Sequence, residues 1–578
     1  MALVAFVIGA IVGAHAGSSP AGSLAGRFVK QWTRGEYAAM YAEVDDATKR
    51  ALSADQFARV YRDALAMATA TGTRVAGHTQ GHGEGRWSVP VRVTTRLFGP
   101  LALPFEIHVV DAGGGAGDRV AWSRTVAFPG LVDEETLHRR TTLPRRASLL
   151  ARDGSLLASG PEGPTVATSS TSEDTRTSPL GEVARAVLGT VGAIPDSRRD
   201  ALEAEGVPAE GLVGLTGMER ALDDRLRGTP GGELLAGERV LATATSHPAP
   251  AVRTSISATL QRDAVASLGG RLGGIVVMDP SNGQVLAVAG IGLDGLQPPG
   301  STFKMVTLSG VLAAGIADSG TSFPYATYAT LDGVKLHNAN GEECGGTLAH
   351  AFAVSCNSVF TPLGVKLGAA RLVSAAEGFG FNHPPGIVGA ATSTLPAASH
   401  ISGELETGST AIGQGEVLAT PLQMALVAST IADGGRRPEP TVLDNQPVRY
   451  AGRAIPASVA RTVRRLMIGV VRSGTGASAA IPEVTVAGKT GTAELQTPCP
   501  EKPASETSSE PSGENCHNSG TETNASNTDA WFAAFAPAVH PRIAVCVMLV
   551  KDGAGGDTAA PVARELLVAG LQASRTGG

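Results

Sequence analysis

Along residues 22–110 the spacing of apolar side chains changes once, and that change restricts which folds can form there. Phe28, Trp32, Tyr37, Met40 and Tyr41, then Phe57, Val60, Tyr61 and Leu65, recur at the intervals of amphipathic helices. From Trp87 the period becomes two. Trp87, Val89, Val91 and Val93 alternate, Phe105, Ile107 and Val109 do likewise, and residues 120–128 repeat the pattern after a Gly-rich turn at 111–117. Alternate side chains of a strand point to opposite faces, so these runs predict half-buried strands, and helices followed by a meander make a small α+β unit. The chain has 578 residues, far more than that unit needs, and roughly 150 residues per domain predicts three or four units.

A second unit opens with LPRRASLLARDGSLLA at 143–158, which holds short apolar strands and a turn at Asp153-Gly154. It closes at the Pro-broken stretch 246–252. Inside it, residues 163–178 are rich in Ser and Thr and poor in apolar side chains, and read as a loop or disordered insert. From residue 253 the pattern tightens. A helix over 260–268 is followed by apolar strands at 274–278 and 284–288, joined by the turn Asp279-Pro280-Ser281-Asn282-Gly283.

Residues 2–14 form an uncharged apolar run ending at Ala14-His15-Ala16, followed by a Gly/Ser/Pro-rich stretch, and resemble an export signal or anchor. Residues 1–20 are therefore expected to be a membrane anchor or signal segment, with the rest of the chain outside the cytoplasm. A formal net charge of -6 and the lack of an Arg/Lys stripe with interleaved aromatics argue against nucleic acid as a partner. Five cysteines without metal-ligand spacing give no support for a zinc site. In an oxidising compartment Cys499 can pair with Cys516, or Cys344 with Cys356; a free, buried Cys356 is the default expectation, and Cys546 reads as an inert core thiol.

Three polar clusters stand in apolar surroundings. Ser301-Thr302-Phe303-Lys304 follows Pro298-Pro299-Gly300, which can break the preceding loop and start a helix, putting Ser301 and Lys304 on one face. A helix N-terminus favours negative charge and offers N–H groups to an oxyanion. Ser355-Cys356-Asn357 interrupts the apolar stretch 348–364, where a hydroxyl and an amide need buried partners. Lys489-Thr490-Gly491-Thr492 follows Val484 and Val486 in a predicted strand, with a cation and hydroxyls suited to a carboxylate and a glycine that admits a substrate backbone. Taken singly, these are a solvated lysine on a helix, a helix cap, and a strand end.

In this order, S-x-x-K, S-x-N and K-T-G resemble the signature of penicillin-binding proteins and serine β-lactamases. Residues 274–290, 412–424 and 529–537 are similar to that family's sheet strands and active-site wall, residues 22–132 to its NTF2-like N-terminal domain, and residues 133–250 to its pedestal or dimerisation domain. The implied fold class is α+β multidomain, with a serine transpeptidase domain over 251–578 built on a central antiparallel sheet flanked by helices. The resemblance implies Ser301 as nucleophile, Lys304 as its base, made neutral by burial and cationic neighbours, and Ser355 as proton relay. Asn357 would hold Lys304 and the substrate amide, Lys489, Thr490, Gly491 and Thr492 would receive the substrate carboxylate, and the N–H groups of Ser301 and Thr492 would form the oxyanion hole.

The implied activity is D,D-transpeptidation of cell-wall stem peptides ending in D-Ala-D-Ala, with β-lactam antibiotics as acylating mimics and no metal or cofactor. No glycosyltransferase-like segment lies between the apolar start and residue 253, which implies a monofunctional, class B-like enzyme partnered by a separate polymerase. A D,D-carboxypeptidase differs only in preferring water as acceptor. A β-lactamase is usually one smaller domain with an E-x-x-L-N-like segment, which is not found here. A β-lactam sensor or division scaffold has less reason to keep the full polar set. The polar insert 496–528 reads as a surface loop.

Overall fold

The computed structural model describes residues 19–112, 117–160, 176–494 and 527–576. The N-terminal apolar run therefore lies outside the described residues, as do Cys499, Cys516 and nearly all of the 496–528 insert.

The first unit follows from its caps and its two periods. Ser19 accepts from Gly22 N and Pro20 opens the helix Pro20–Arg34, while Ser53 and Gln56 form a capping box on Ala54–Met67. Leu24, Phe28, Val29 and Trp32 bury one stripe, and Trp32 meets Phe105 edge-on at 4.9 Å. The strands Ala70–Val75, Arg86–Thr95, Pro100–Asp111 and Asp118–Val120 pair antiparallel in that order, with Gln80–Gly81 beside Arg86–Thr95. Val89 stands opposite Phe105 and Trp87 opposite Ile107, so the two alternating runs share their buried face. The expected strand over 120–128 does not form. After Val120 the chain leaves the sheet for a 3₁₀ turn, Arg124–Ala127, which buries Val126 and Phe128 without a ladder while Trp122 Nε1 donates to Tyr61 Oη at 2.9 Å. The alternating apolar residues of this run serve packing, not pairing.

The second unit is held by a sheet of Leu137–Thr142, Gly231–Ala236 and Arg239–Ala244 and by a smaller one in which Leu149–Leu150 pairs Leu156–Ala158 and Val252–Arg253. The turn between the short strands has Gly154 at φ 86° and Asp153 accepting from Ser155 N at 2.9 Å. One arginine of the opening stretch 143–158 has a definite use. Arg146 is buried between Glu219, at 2.6 Å, and Asp223, at 2.8 Å, and Arg176, Arg198 and Arg227 complete a buried charge network. Arg176 belongs to the 163–178 segment, most of which lies outside the described residues; its end is anchored, with Ser159 and Thr177 bridged.

The third unit carries a five-stranded antiparallel sheet in the order Val285–Gly290, Gly273–Met278, Ile543–Leu549, Thr528–Ala536, Ala487–Glu494. The helices Ala258–Leu268 and Ala560–Thr576 pack on one face through Leu260, Ala264, Leu566 and Leu567, and the wholly buried helix Pro421–Ala432 packs on the other. Both faces are covered, which is why Gly273–Met278 and Ile543–Leu549 read as unbroken apolar runs. Residues 412–424 are not a strand. Gly413 at φ 74° and Gly415 at φ 69° turn the chain, and Pro421 opens the next helix.

Candidate active site

The three polar clusters lie more than 50 and more than 130 residues apart in the chain and meet at one place, at the edge strand Ala487–Glu494. Gly300 takes φ +50°, and a Cβ on it would stand 2.7 Å from Thr492 O, so only glycine brings this loop against that strand. Gly300 N–H donates to Gly413 O at 2.9 Å, which makes the 412–420 turn the wall behind the serine. The residues Gly300–Phe303 form a 3₁₀ turn that runs into the helix Lys304–Ala313. In a 3₁₀ turn positions i and i+3 eclipse, so Ser301 and Lys304 share a face. Buried Phe303, edge-on to Phe381 at 5.3 Å, and Thr302, whose hydroxyl donates to Pro299 O at 2.6 Å, fix the turn. Ser301 is half-buried, and among the described residues its hydroxyl makes no hydrogen bond.

Lys304 is fully buried. Its Nζ donates to Asn357 Oδ1 at 2.6 Å and to Ser355 O at 2.7 Å, and lies 3.4 Å from Ser355 Oγ. Burial drives this ammonium well below the usual lysine range, and the charge of Lys489 pushes the same way. A neutral amine has two N–H groups and one lone pair. Its two short contacts are to carbonyl-type oxygens that can only accept, so both N–H groups are committed and the lone pair is left for a hydroxyl.

Ser355 and Asn357 stand in the turn between the helices Leu348–Ala353 and Asn357–Leu367. Ser355 adopts φ +62°, a left-handed conformation costly for a residue with a Cβ. The turn is held from three sides. Asn357 Nδ2 donates to His337 O at 2.8 Å, Ser358 N–H donates to Asn338 Oδ1 at 2.8 Å, and Cys356 is disulfide-bonded to Cys344. The disulfide corrects the expectation of a free Cys356: spacing alone did not reveal that the strand Cys344–Thr347 lies beside the turn. Cys546 is free and buried, as expected.

Lys489 reaches across from the strand. Its Nζ donates to Ser355 Oγ at 2.9 Å and to Thr490 O at 2.9 Å, and burial brings its pKa down to about 7. The Ser355 hydroxyl is thus a shared contact of both lysines. Thr490 is buried, with its hydroxyl 2.6 Å from that of Thr475, and Thr492 Oγ1 accepts from Gly555 N–H at 3.4 Å. A Cβ on Gly491 would meet Pro299 O at 2.7 Å and Trp531 Cβ at 2.9 Å, so this glycine admits the chain's own serine loop. His337, Asn338 and Thr475 were not anticipated. His337 contributes through its backbone, and nothing in the run 337–344 or 473–476 distinguishes Asn338 or Thr475 from ordinary loop residues.

The family model described as penicillin binding protein transpeptidase domain matches residues 273–568. Models described as penicillin-binding protein dimerisation domain and NTF2-like N-terminal transpeptidase domain match residues 162–240 and 20–135. Among curated relatives, a peptidoglycan D,D-transpeptidase PbpA of Mycobacterium tuberculosis is 34% identical over 302 residues, covering 48% of this chain and 55% of the relative. The PbpA of Mycolicibacterium smegmatis is 30% identical over 425 residues, covering 62% of this chain and 80% of the relative. The chain thus spans about half the length of the first relatives it matches. Among solved structures, PBPA from Mycobacterium tuberculosis matches with a TM-score of 0.57 at 26% identity, over 74% of this chain and 99% of that one. Penicillin-binding protein A of the same organism, as a penicillin G acyl-enzyme complex, matches with a TM-score of 0.56 at 26% identity, over 74% and 100%.

Proposed function

Because the chain belongs to the penicillin-binding protein transpeptidase family, with NTF2-like and dimerisation domains ahead of the transpeptidase domain, we propose that it is a peptidoglycan D,D-transpeptidase acting through an acyl-enzyme on Ser301. One arrangement carries the reading: a buried lysine with a free lone pair one turn from the serine, linked through the Ser355 hydroxyl to a second buried lysine on the edge strand.

Lys304 takes the Ser301 Oγ proton as the oxygen bonds to the carbonyl carbon of the penultimate D-Ala. The oxyanion is met by the N–H groups of Ser301 and Thr492, a pairing supported by the tight contact of residue 300 with Thr492. Collapse breaks the C–N bond to the terminal D-Ala, whose nitrogen receives a proton by way of Ser355 and Lys304. An amine from a neighbouring stem peptide then attacks the ester, giving its proton back along the same path, and Ser301 is freed. Asn357 keeps Lys304 in place, while Lys489, Thr490 and Thr492 receive the terminal carboxylate. A β-lactam follows the first half of this path and stays attached, because its leaving nitrogen remains tethered.

The same reading puts the anchor or signal in residues 1–20, seams near 132 and 250, and the catalytic domain outside the cytoplasm. The Cys344–Cys356 disulfide supports the last point, since such bonds persist in oxidising compartments. A separate glycosyltransferase in the membrane would supply the glycan strands, and the insert 496–528 is read as a surface loop. The test is mass-spectrometric analysis of the full chain incubated with a stem peptide ending in D-Ala-D-Ala and a second peptide amine. A Ser301-dependent cross-linked product is expected. Release of D-Ala with only hydrolysed donor would replace the transpeptidase reading by a carboxypeptidase.

A further inference from the structure

The turn that ends the helix Ala457–Ser473 is wedged between two segments of the site. A Cβ on Gly474 would stand 2.1 Å from Ala353 O, and Thr475 N–H donates to that same carbonyl at 3.1 Å. From the other side Gly556 packs on Thr475 O, where a Cβ would stand at 2.3 Å. The exposed Thr475 places its hydroxyl 2.6 Å from Thr490 Oγ1 and 3.4 Å from Ala353 O. Ala353 ends the helix that leads into Ser355, and Thr490 follows Lys489, so Thr475 ties the Ser355 turn to the lysine strand a second time, beside the Lys489–Ser355 hydrogen bond.

Either hydroxyl can donate across the 2.6 Å contact between Thr475 and Thr490. Ala353 O already accepts from Thr475 N–H, and its contact with the Thr475 hydroxyl is long, 3.4 Å, so the Thr475 O–H can be given to Thr490 Oγ1. A carboxylate accepts hydrogen bonds and donates none, so it can use Thr490 only if Thr490 keeps its own proton for the ligand. Donation from Thr475 to Thr490 Oγ1 holds the Thr490 hydroxyl in that role.

We propose that Thr475 is a positioning residue that turns Thr490 into a donor for the ligand carboxylate and keeps the Ser355 turn in register with Lys489. The proposal rests on the reading above that a carboxylate is received at 489–492. Its test compares acylation rates of the full chain by benzylpenicillin and by benzylpenicillin methyl ester, which lacks the charged carboxylate. Thr475→Val should slow acylation by the acid roughly 10- to 100-fold, the cost of losing a hydrogen bond to a charged group, with the ester changed less than about threefold. Thr475→Ser should restore the rate with the acid. Equal slowing with acid and ester, or no slowing, overturns the proposal; a Thr475→Val chain that does not fold is replaced by Thr475→Ala in the same comparison. A wild-type chain that takes up neither compound removes the carboxylate reading itself, and the proposal with it.

Discussion

Asn357→Asp tests the assignment of Lys304 as a base kept neutral. The substitution is nearly isosteric, and it sets a carboxylate where Asn357 Oδ1 now lies, 2.6 Å from Lys304 Nζ. With an effective dielectric of about 20, opposite charges at that separation attract by roughly 6 kcal/mol, or more than four pK units. Desolvating the new carboxylate, and facing it to His337 O where Nδ2 now donates, takes back a large part. An upward shift of about two units for Lys304 is a conservative expectation. Lys304 must be neutral to accept the serine proton, so acylation falls as pH drops through its pKa, and the acid limb of the rate profile should move up by the same two units or so. Lys489 titrates near 7 and should set the alkaline limb, where its charge is lost. Raising the acid limb into it narrows and lowers the whole profile. Stopped-flow acylation by a chromogenic cephalosporin across the pH range measures both limbs. Asn357→Leu, which removes the acceptor without adding charge, should slow the reaction without raising the acid limb. An acid limb unmoved in Asn357→Asp would rule out Lys304 as the base that titrates there.

Three further outcomes follow from the same contacts. Lys489 is held near 7 in the folded chain against 10.5 in an unfolded one, so the unfolded chain binds more protons between those values and stability rises with pH across that window. Lys489→Met should therefore stabilise the chain by about 1–4 kcal/mol near pH 6 to 7, with the gain shrinking toward pH 10, while abolishing acylation; calorimetry across pH checks it. Replacing Cys344 and Cys356 together by Ser opens a loop of sequence separation 12 and should cost about 3 kcal/mol in denaturant unfolding, an effect that reductant should reproduce in the wild type. Glu219→Gln leaves Arg146 and Arg176 short of charge in a buried site and should destabilise the pedestal by about 3–5 kcal/mol, read as a lowered thermal midpoint.

The site was legible where chemistry demanded a residue type and opaque where only the backbone or packing mattered. Ser301, Lys304, Ser355, Asn357 and Lys489 stood out because hydroxyls, an amide and lysines are out of place in apolar runs, and the fold joins Lys304, Ser355, Asn357 and Lys489 in one set of hydrogen bonds beside Ser301, whose hydroxyl makes none among the described residues. Gly491 was only partly legible for the opposite reason: a missing side chain does not say what comes close to it, and in the fold Pro299 of the serine loop lies where a Cβ would stand. Cys356 could not be paired from spacing, because the neighbour that reaches it depends on where the strand Cys344–Thr347 lies. In the fold, covered strands such as Gly273–Met278 were plain, while residues 120–128 alternate in sequence yet leave the sheet after Val120. The strand Ala70–Val75 has a mostly exposed, unalternating pattern, so it carried no period to detect.

The proposed chemistry requires a covalent bond at Ser301, and intact-mass measurement of the full chain with benzylpenicillin detects that bond itself. One stable adduct per chain, mapped to the peptide holding Ser301 and absent from Ser301→Ala, is the predicted result. A folded chain that leaves the drug intact and unattached, or an adduct that survives in Ser301→Ala, would contradict it.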